Sequence, residues 1–192
     1  MGHSQAEKVQ SRERILSEAA DQVRDAGLES ISVGTLMRSV GLTHGGFYNH
    51  FESRAELLAC ALERALVDGR KAWLATEGAD DKPRSFEATV RRFLSRSHRD
   101  SRTAGCAIAA LASDVARASE QTRAVMSEHL DEFVATTVDS MAGQDEGDAL
   151  LAVSAMVGAL LLSRVQVDPK QSDALLRSVR ERLLALKLAD PS

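Results

Sequence analysis

Helix-forming residues dominate this sequence, and few residues in it interrupt a helix. Of 192 residues, 29 are alanine and 23 are leucine, whereas only 12 are glycine and 3 are proline. Alanine and leucine favour helices, while aromatic residues, which favour strands, make up only 4%. A β-sandwich or barrel also requires more turn residues than this chain has. The sequence therefore predicts an all-α protein.

The charge balance excludes a protein that binds nucleic acid over its whole surface. The chain has 24 basic and 28 acidic side chains, with a net charge of −4 and a pI near 5.8. Residues 1–54 carry 6 basic and 7 acidic side chains. Any DNA contact must therefore depend on a few placed groups.

Sequence patterns for a cofactor, a metal or a membrane anchor are missing. Cys60 and Cys106 form neither a CxxC pair nor a Cys/His cluster, and no phosphate-binding glycine loop or nucleophile elbow occurs. Residues 1–14 lack the apolar core of a signal peptide. The apolar run 149–162 is shorter than the about 20 residues that span a bilayer, and we interpret it as a buried helix. We expect a cytoplasmic, non-enzymatic protein without cofactor, metal or membrane contact.

Apolar residues recur at intervals of three and four residues, which is the spacing of one helix face. This pattern, with Gly27 and Gly41 as helix ends, predicts three short helices over 11–26, 32–40 and 43–51. Ser53 and Glu56 form an S-x-x-E capping box, which begins a long fourth helix. A break at 77–83 follows, and Gly143 and Pro169 mark later connections. The remaining predicted helices cover 84–99, 104–117, 119–141, 147–165 and 171–188.

Residues 32–51 have the pattern of a helix-turn-helix. Gly41 lacks a Cβ and so permits the left-handed conformation that a sharp corner between two helices needs. This geometry lets the second helix enter the major groove of DNA. Phe47 and Phe51 form the apolar side of that helix. The opposite side presents groups that suit base edges and phosphates, namely His44, Gly45, Tyr48 and Asn49.

The run G-L-T-H-G-G-F-Y-N-H-F-E-S-R-A-E-L at residues 41–57 resembles the DNA-binding signature of TetR/AcrR transcriptional regulators. That signature reads roughly G-L/V-S/T-x-G-x-L/F-Y-x-H-F-x-S/T-K/R-x-x-L. The resemblance implies a DNA-binding head at 1–54, joined by a long helix to a ligand-binding and dimerisation body at 55–192. It also implies a homodimeric repressor that binds a palindromic double-stranded operator and releases it when a small-molecule inducer enters the body.

The resemblance assigns roles to individual positions of the head. Thr43, Tyr48 and His50 match residues that position the DNA backbone, and Arg54 matches a basic residue that contacts phosphate. Gly45 matches the family glycine, whereas His44 stands where lysine is frequent. Outside the signature, Arg12 lies in a basic N-terminal stretch with Lys8 and Arg14. That stretch is equally consistent with phosphate contact and with a solvated helix start.

The resemblance places a ligand site among the helices of the body. The candidate residues are large or soft side chains that serve equally well as core: Trp73, Phe93, Cys106, Leu111, Met126 and Phe133. Cys106 follows Gly105 at a predicted helix start, where the helix dipole, helped by Arg102, lowers a thiol pKa. We consider both a sensor thiol and a small buried hydrophobe.

The two last predicted helices carry the candidate dimer surface, for which an internal core is the alternative. A small-residue face would permit close helix approach, and a leucine-rich stripe follows on the next helix. These sets are Ala152, Ala155, Gly158 and Ala159, then Leu175, Val179, Leu183 and Leu186.

Two other classes of function remain alternatives. One is a helical thiol or redox protein that uses Cys106 with His98 or His129. The other is a small-molecule carrier with a non-functional helix-turn-helix. The presence of Tyr48, His50 and Arg54 favours a DNA-binding regulator over the carrier.

Overall fold

A computed structural model describes residues 5–75, 85–101, 105–141 and 145–185. Within these ranges every regular element is helical, which confirms the predicted all-α class. Two short 3₁₀ turns at Leu28–Ser30 and His44–Asn49 interrupt the series. The α-helices are α1 Gln5–Ala26, α2 Val33–Ser39, α3 Arg54–Ala75, α4 Phe86–Phe93, α5 Arg96–Asp100, α6 Ala107–Val115, α7 Glu120–Ser140, α8 Glu146–Val165 and α9 Pro169–Ala185.

Among the helix predictions that differ from the structure are those for 11–26 and 84–99. Helix α1 begins at Gln5 rather than at residue 11, and the segment predicted as one helix over 84–99 forms α4 and α5. The break occurs because the Ser95 hydroxyl accepts a hydrogen bond from the His98 backbone N–H at 3.2 Å. A serine that caps a new helix in this way no longer continues the previous one. The predicted break at 77–83, Gly143 and Leu186 lie outside the described residues.

Apolar side chains form two clusters that meet along α3. The head cluster joins α1, α2, the 3₁₀ turn His44–Asn49 and the N-terminal half of α3, and α6 packs against it. The body cluster joins α4, α8 and α9. Helix α3 therefore contributes Leu57, Leu62 and Leu66 to the head, and Trp73 near its end packs against the body.

Polar contacts also tie the head to the body. Gly27 ends α1 with a φ of +84°, and the next residue, Leu28, donates its backbone N–H to Asp114 Oδ2 at 3.2 Å. Asp114 belongs to α6, so α6 touches the corner between α1 and α2. Between α3 and α7, Glu63 bonds His129 Nε2 at 2.9 Å. The position of the head is thus set by contacts with both α6 and α7.

Helix α8 is long and apolar enough to cross a membrane by length and composition alone, with a mean hydropathy of 1.7. One of its faces is nevertheless buried in the body cluster. Ala149, Ala152 and Met156 on this face are fully buried against the other helices. The helix packs on one face only, so the run 149–162, predicted as a buried helix, is buried on that face and exposed on the other.

Candidate nucleic-acid interface and ligand site

The turn between the two helices of the predicted helix-turn-helix is built as expected. Gly41 adopts a φ of +73°, and the Leu42 N–H returns to the Met37 carbonyl at 2.8 Å. The Thr43 hydroxyl then accepts a hydrogen bond from the Gly46 N–H at 3.3 Å, which caps the next element. That element is the 3₁₀ turn His44–Asn49, tighter than the predicted helix over 43–51, and we call it the recognition turn.

The recognition turn separates a buried side from an exposed side. Phe47 and Phe51 are buried and stack with ring centroids 5.6 Å apart. Tyr48 projects outward with 69% of its surface exposed, although its ring edge contacts Phe47. A Cβ built on Gly45 would meet nothing within 4 Å, so the backbone there is open to approach. The exposed residues, which we call the recognition surface, are Thr43, His44, Gly45, Tyr48 and Asn49.

Two basic residues predicted to contact DNA make hydrogen bonds inside the head. Arg12 places one guanidinium nitrogen 3.5 Å from both Glu56 Oε1 and Cys60 Sγ. Its guanidinium also lies 4.7 Å above the Phe51 ring. Arg54 donates from Nε and Nη2 to the Ile31 carbonyl, each at 3.3 Å. The side chains nevertheless keep 36% and 43% of their surfaces exposed.

His50 lies partly buried behind the recognition surface. Its Nδ1 atom is buried and makes no hydrogen bond. Burial lowers the pKa of His50, and the charges of Lys8 and Arg12 lower it further. His50 is therefore a neutral imidazole at neutral pH, and its Nδ1 is not available at the surface.

The sequence did not single out the contact made by Arg14. Its Nη1 donates to the Val40 carbonyl at 3.3 Å, at the C-terminal end of α2. Nothing in the spacing of the sequence indicates this bond, because Arg14 and Val40 are brought together only when α1 packs on α2. Arg14 had been considered only as one member of a basic stretch.

Three of the six predicted ligand residues contact one another through edge-to-face and tilted rings, together with a histidine. Trp73, Phe93, His98 and Phe133 form this aromatic cluster, in which neighbouring ring centroids lie 4.7–5.8 Å apart. Cys106 lies beside it, because its backbone N–H donates to His98 Nε2 at 3.0 Å. Leu111 and Met126 instead pack in the head cluster, away from these rings.

His98 connects the aromatic cluster to the start of α6. Its Nδ1 lies 2.7 Å from the Phe93 carbonyl, so Nδ1 carries the proton and Nε2 accepts from Cys106. Burial lowers the pKa of His98, and the charges of Arg164 and Arg92 act in the same direction. The ring is therefore held neutral between two backbone groups.

Cys106 does not have the lowered pKa that its place at a helix start predicts. Burial raises the pKa of its thiol, and this outweighs the opposite effects of the Ala109 and Ile108 amides and of Arg164. The predicted direction of the pKa shift was wrong, because the free-energy cost of desolvating the thiolate exceeds the stabilisation that one helix start gives it. Arg102 lies outside the described residues.

The small-residue face predicted on α8 divides between two sides. Ala152 and Ala159 are buried in the body cluster, where Leu183 of α9 also lies. Ala155 and Gly158 are only partly buried and lie at the border of the outer side, which is apolar, although Ala155 still packs against the body cluster. An open groove of about 340 Å³ runs between α8 and α9 here. Exposed leucines and valines continue this outer face, namely Leu150, Leu151, Leu161, Leu162 and Val165.

Comparisons with known proteins agree with this architecture. The model of the tetR family of bacterial regulatory proteins matches residues 15–61. E. coli NemR in its reduced form is 16% identical with a TM-score of 0.71, over 91% of this chain and 95% of that one. A TetR transcriptional regulator from Chloroflexus aurantiacus is 24% identical with a TM-score of 0.70, over 94% and 97%.

A third similar structure is the multidrug binding protein EbrR complexed with proflavin. It is 20% identical with a TM-score of 0.68, over 91% of this chain and 98% of that one. No curated protein sequence matches the chain. The signature at 41–57, the match at 15–61 and the shared fold lead to one conclusion: the chain has a DNA-binding helix-turn-helix of the tetR family at its N-terminus and shares the overall fold of solved TetR-family regulators.

Proposed function

We propose that the chain is a ligand-responsive repressor that binds a palindromic operator as a homodimer. TetR-family regulators are typically non-enzymatic, cytoplasmic DNA-binding proteins, and generally ligand-responsive repressors. The observation that carries the proposal is the recognition surface, where polar groups and an exposed tyrosine stand on a turn anchored by two buried phenylalanines. Apart from its edge contact with Phe47, the Tyr48 side chain is exposed beside open glycine backbone, where it is available to a ligand.

The recognition surface supplies both kinds of DNA contact. The hydroxyls of Thr43 and Tyr48 can bond phosphates, and the open backbone at Gly45 permits close approach. Asn49 and His44 can donate to or accept from base edges in the major groove. Three further residues predicted at this interface lie beside the recognition surface and support its position, namely Arg12, His50 and Arg54.

The outer face of α8 and α9 is the proposed dimer surface. Leu151, Ala155, Gly158, Leu162 and Val165 recur at intervals of three and four, so they form one apolar stripe along α8. Apolar surface of this extent is costly to leave in water. A two-fold axis through this face would pair two heads with the two half-sites of a palindrome.

The aromatic cluster is the proposed inducer site. The similar protein EbrR was solved with proflavin, a planar aromatic molecule. The rings of Trp73, Phe93 and Phe133 offer stacking surfaces for such a ligand. They pack on one another here, so a ligand must separate them, and His98 would transmit that movement to α6.

Modification of Cys106 is a second proposed route of release. The Cys106 N–H bond to His98 couples any displacement of this residue to the same cluster, and the similar NemR structure is described as a reduced form. The raised pKa of the thiol argues for slow reaction. Release of DNA by N-ethylmaleimide should be lost in Cys106→Ala and kept in Cys60→Ala. Release from Cys106→Ala at the wild-type rate would eliminate this route.

Selection of duplexes from a random library tests the main proposal. The purified chain should enrich a single inverted repeat whose half-sites lie about one helical turn apart, as a two-fold dimer requires. Binding of that duplex should weaken steeply as salt rises. Enrichment of no sequence, or of a sequence without two-fold symmetry, would contradict the proposal.

A further inference from the structure

We propose that Arg14 and Arg54 are positioning residues that clamp the two ends of α2 and thereby orient the recognition surface. This role differs from the phosphate contact that the sequence pattern assigns to Arg54. It deepens the proposed function, because orientation of that surface matters only if it reads DNA.

Helix α2 needs external support to hold its place. It has seven residues, Val33–Ser39, which is about two turns and too short to be stable alone. The Ser32 side chain, at the N-cap position, makes no capping hydrogen bond. Its packing depends on Leu36 and Met37, which are fully buried. Fixing both ends therefore decides how α2 sits in the head.

Arg14 of α1 holds the C-terminal end. Its Nη1 reaches the Val40 carbonyl at 3.3 Å, and its Nη2 lies 3.4 Å from the Ser11 hydroxyl on its own helix. The last carbonyls of a helix lack partners within the helix, so a cation there is stabilising. Val40 directly precedes Gly41, the corner residue.

Arg54 of α3 holds the other end. Its Nε and Nη2 converge on the Ile31 carbonyl, and Nη2 also pairs with Glu29 Oε2 at 3.3 Å. Ile31 stands two residues before α2 and is itself buried. Only the forked guanidinium of arginine can make this set of bonds at once.

The two clamps act on the recognition surface through a short path. The Leu42 N–H bonds the Met37 carbonyl of α2, and Thr43 follows directly as the cap of the recognition turn. A tilt of α2 would therefore move the recognition turn, because the chain joins the end of α2 directly to the start of that turn. Loss of the hydrogen bonds of either arginine should therefore change the orientation of the recognition surface more than it changes the charge of the head.

Charge-preserving substitutions separate positioning from phosphate contact. Arg54→Lys and Arg14→Lys keep the positive charge but cannot form the forked set of bonds. Affinity is measured by fluorescence anisotropy on two duplexes of equal length, the one selected by the wild-type chain and one of mixed sequence. Arg91→Lys, on α4 in the body, is the matched control.

Positioning predicts that both head variants bind the selected duplex about tenfold more weakly, because charge-assisted bonds are lost. Affinity for the mixed duplex and the salt slope of log K should match those of wild type. Arg54→Ala should behave likewise. A phosphate contact instead predicts wild-type binding by Arg54→Lys, and for Arg54→Ala a salt slope smaller by about 0.9 per lost contact. That pattern would overturn the proposal.

Hydrogen exchange gives a readout that needs no DNA. The Leu42 amide should exchange faster in both lysine variants than in wild type or Arg91→Lys, because α2 is less firmly held. Unchanged exchange at Leu42 would also overturn the proposal, even if an alanine variant failed to fold. A wild-type chain that selects no duplex would instead contradict the proposed function itself.

Discussion

Gly27 and Gly41 are both left-handed glycines at corners of the head, yet they differ in surroundings. Gly27 has a φ of +84° and a ψ of 170°, a region that other residues hardly visit. A Cβ there would also overlap the Asp114 carboxylate, whereas one at Gly41 would meet nothing within 4 Å. The sequence identified both as helix ends, but the contact with Asp114 depends on how α6 packs.

The two glycines therefore make a matched pair. Gly27→Ala should lower the free energy of unfolding by about 3 kcal/mol, because it adds backbone strain and an overlap with Asp114. Gly41→Ala should lower it by about 1 kcal/mol, because it adds backbone strain alone. Urea unfolding of the two variants measures both values. Equal losses would contradict the contact between the α1–α2 corner and α6.

Stability should fall as pH drops, and His98 should contribute. Its folded pKa is lowered below the ordinary 6.5 by burial, so the unfolded chain binds the proton more readily. Its contribution is therefore complete above pH 6.5 and is lost as pH falls toward the lowered pKa. Urea unfolding at several pH values between 7.5 and 5.5 measures this slope.

His98→Gln should make that slope shallower, because glutamine does not titrate. A residual slope is expected from His50, whose pKa is also lowered by burial. His50→Gln should remove that part and serves as the control. A His98→Gln chain with the wild-type slope would show that His98 is not held neutral.

Single residues show what sequence patterns can and cannot predict. Tyr48 and Asn49 lie exposed as the helical period indicates, because Phe47 and Phe51 take the buried side. The pattern could not predict that Arg54 bonds Ile31, since the two residues meet only after α2 and α3 pack. The pKa direction at Cys106 was wrong for the same reason, because its burial is a tertiary effect.

At the scale of elements, helix starts were predictable wherever a side chain caps the backbone. The serine half of the capping box at the start of α3 is present, because the Glu56 N–H donates to Ser53 Oγ at 3.1 Å. The Glu56 carboxylate reaches one residue further back than the box requires, where its Oε2 accepts from the Glu52 N–H at 2.6 Å. Ser95 shows the opposite case, because a serine inside an apparently continuous helical pattern caps a new helix instead. Composition alone does not distinguish a serine that starts a predicted helix from a serine that starts a new helix inside a continuous helical pattern.

Ser53 and Ser32 give the matched test of this difference. Ser53→Ala should cost about 1 kcal/mol of unfolding free energy, because its hydroxyl caps α3. Ser32→Ala should cost less than about 0.5 kcal/mol, because the Ser32 side chain makes no capping bond. Thermal and urea unfolding check both values. A larger loss at Ser32 than at Ser53 would reverse the assignment of caps.

At the scale of the whole molecule, the outer face of α8 and α9 is the proposed dimer surface. The sequence indicated these helices, but it mixed core alanines with surface ones, because an apolar helix gives little periodic contrast between its two sides. Only the packed structure separates buried Ala152 from outward Ala155. The order of a small head, a long helix and a larger helical body did follow from the pattern of helix ends.

Charges placed on this face should separate the proposed dimer. The double variant Leu151→Glu/Leu162→Glu should sediment at the chain mass of 20.7 kDa, and the wild type at twice that mass. Burying glutamates at a two-fold axis brings like charges together without partners, which is strongly unfavourable. Leu74→Glu, at a residue 48% exposed on α3, should stay dimeric. A double variant that sediments like wild type would place the interface elsewhere.

The central claim is that the recognition surface reads DNA, and one dissociation constant tests it most directly. The duplex selected by the wild-type chain is titrated with wild type and with Tyr48→Ala/Asn49→Ala. Both changed side chains are exposed, and the variant loses the edge contact of Tyr48 with Phe47 but keeps the contact between Phe47 and Phe51. Loss of a phosphate bond and a base contact predicts binding about 100-fold weaker for the double variant. Affinity within twofold of wild type would contradict the account.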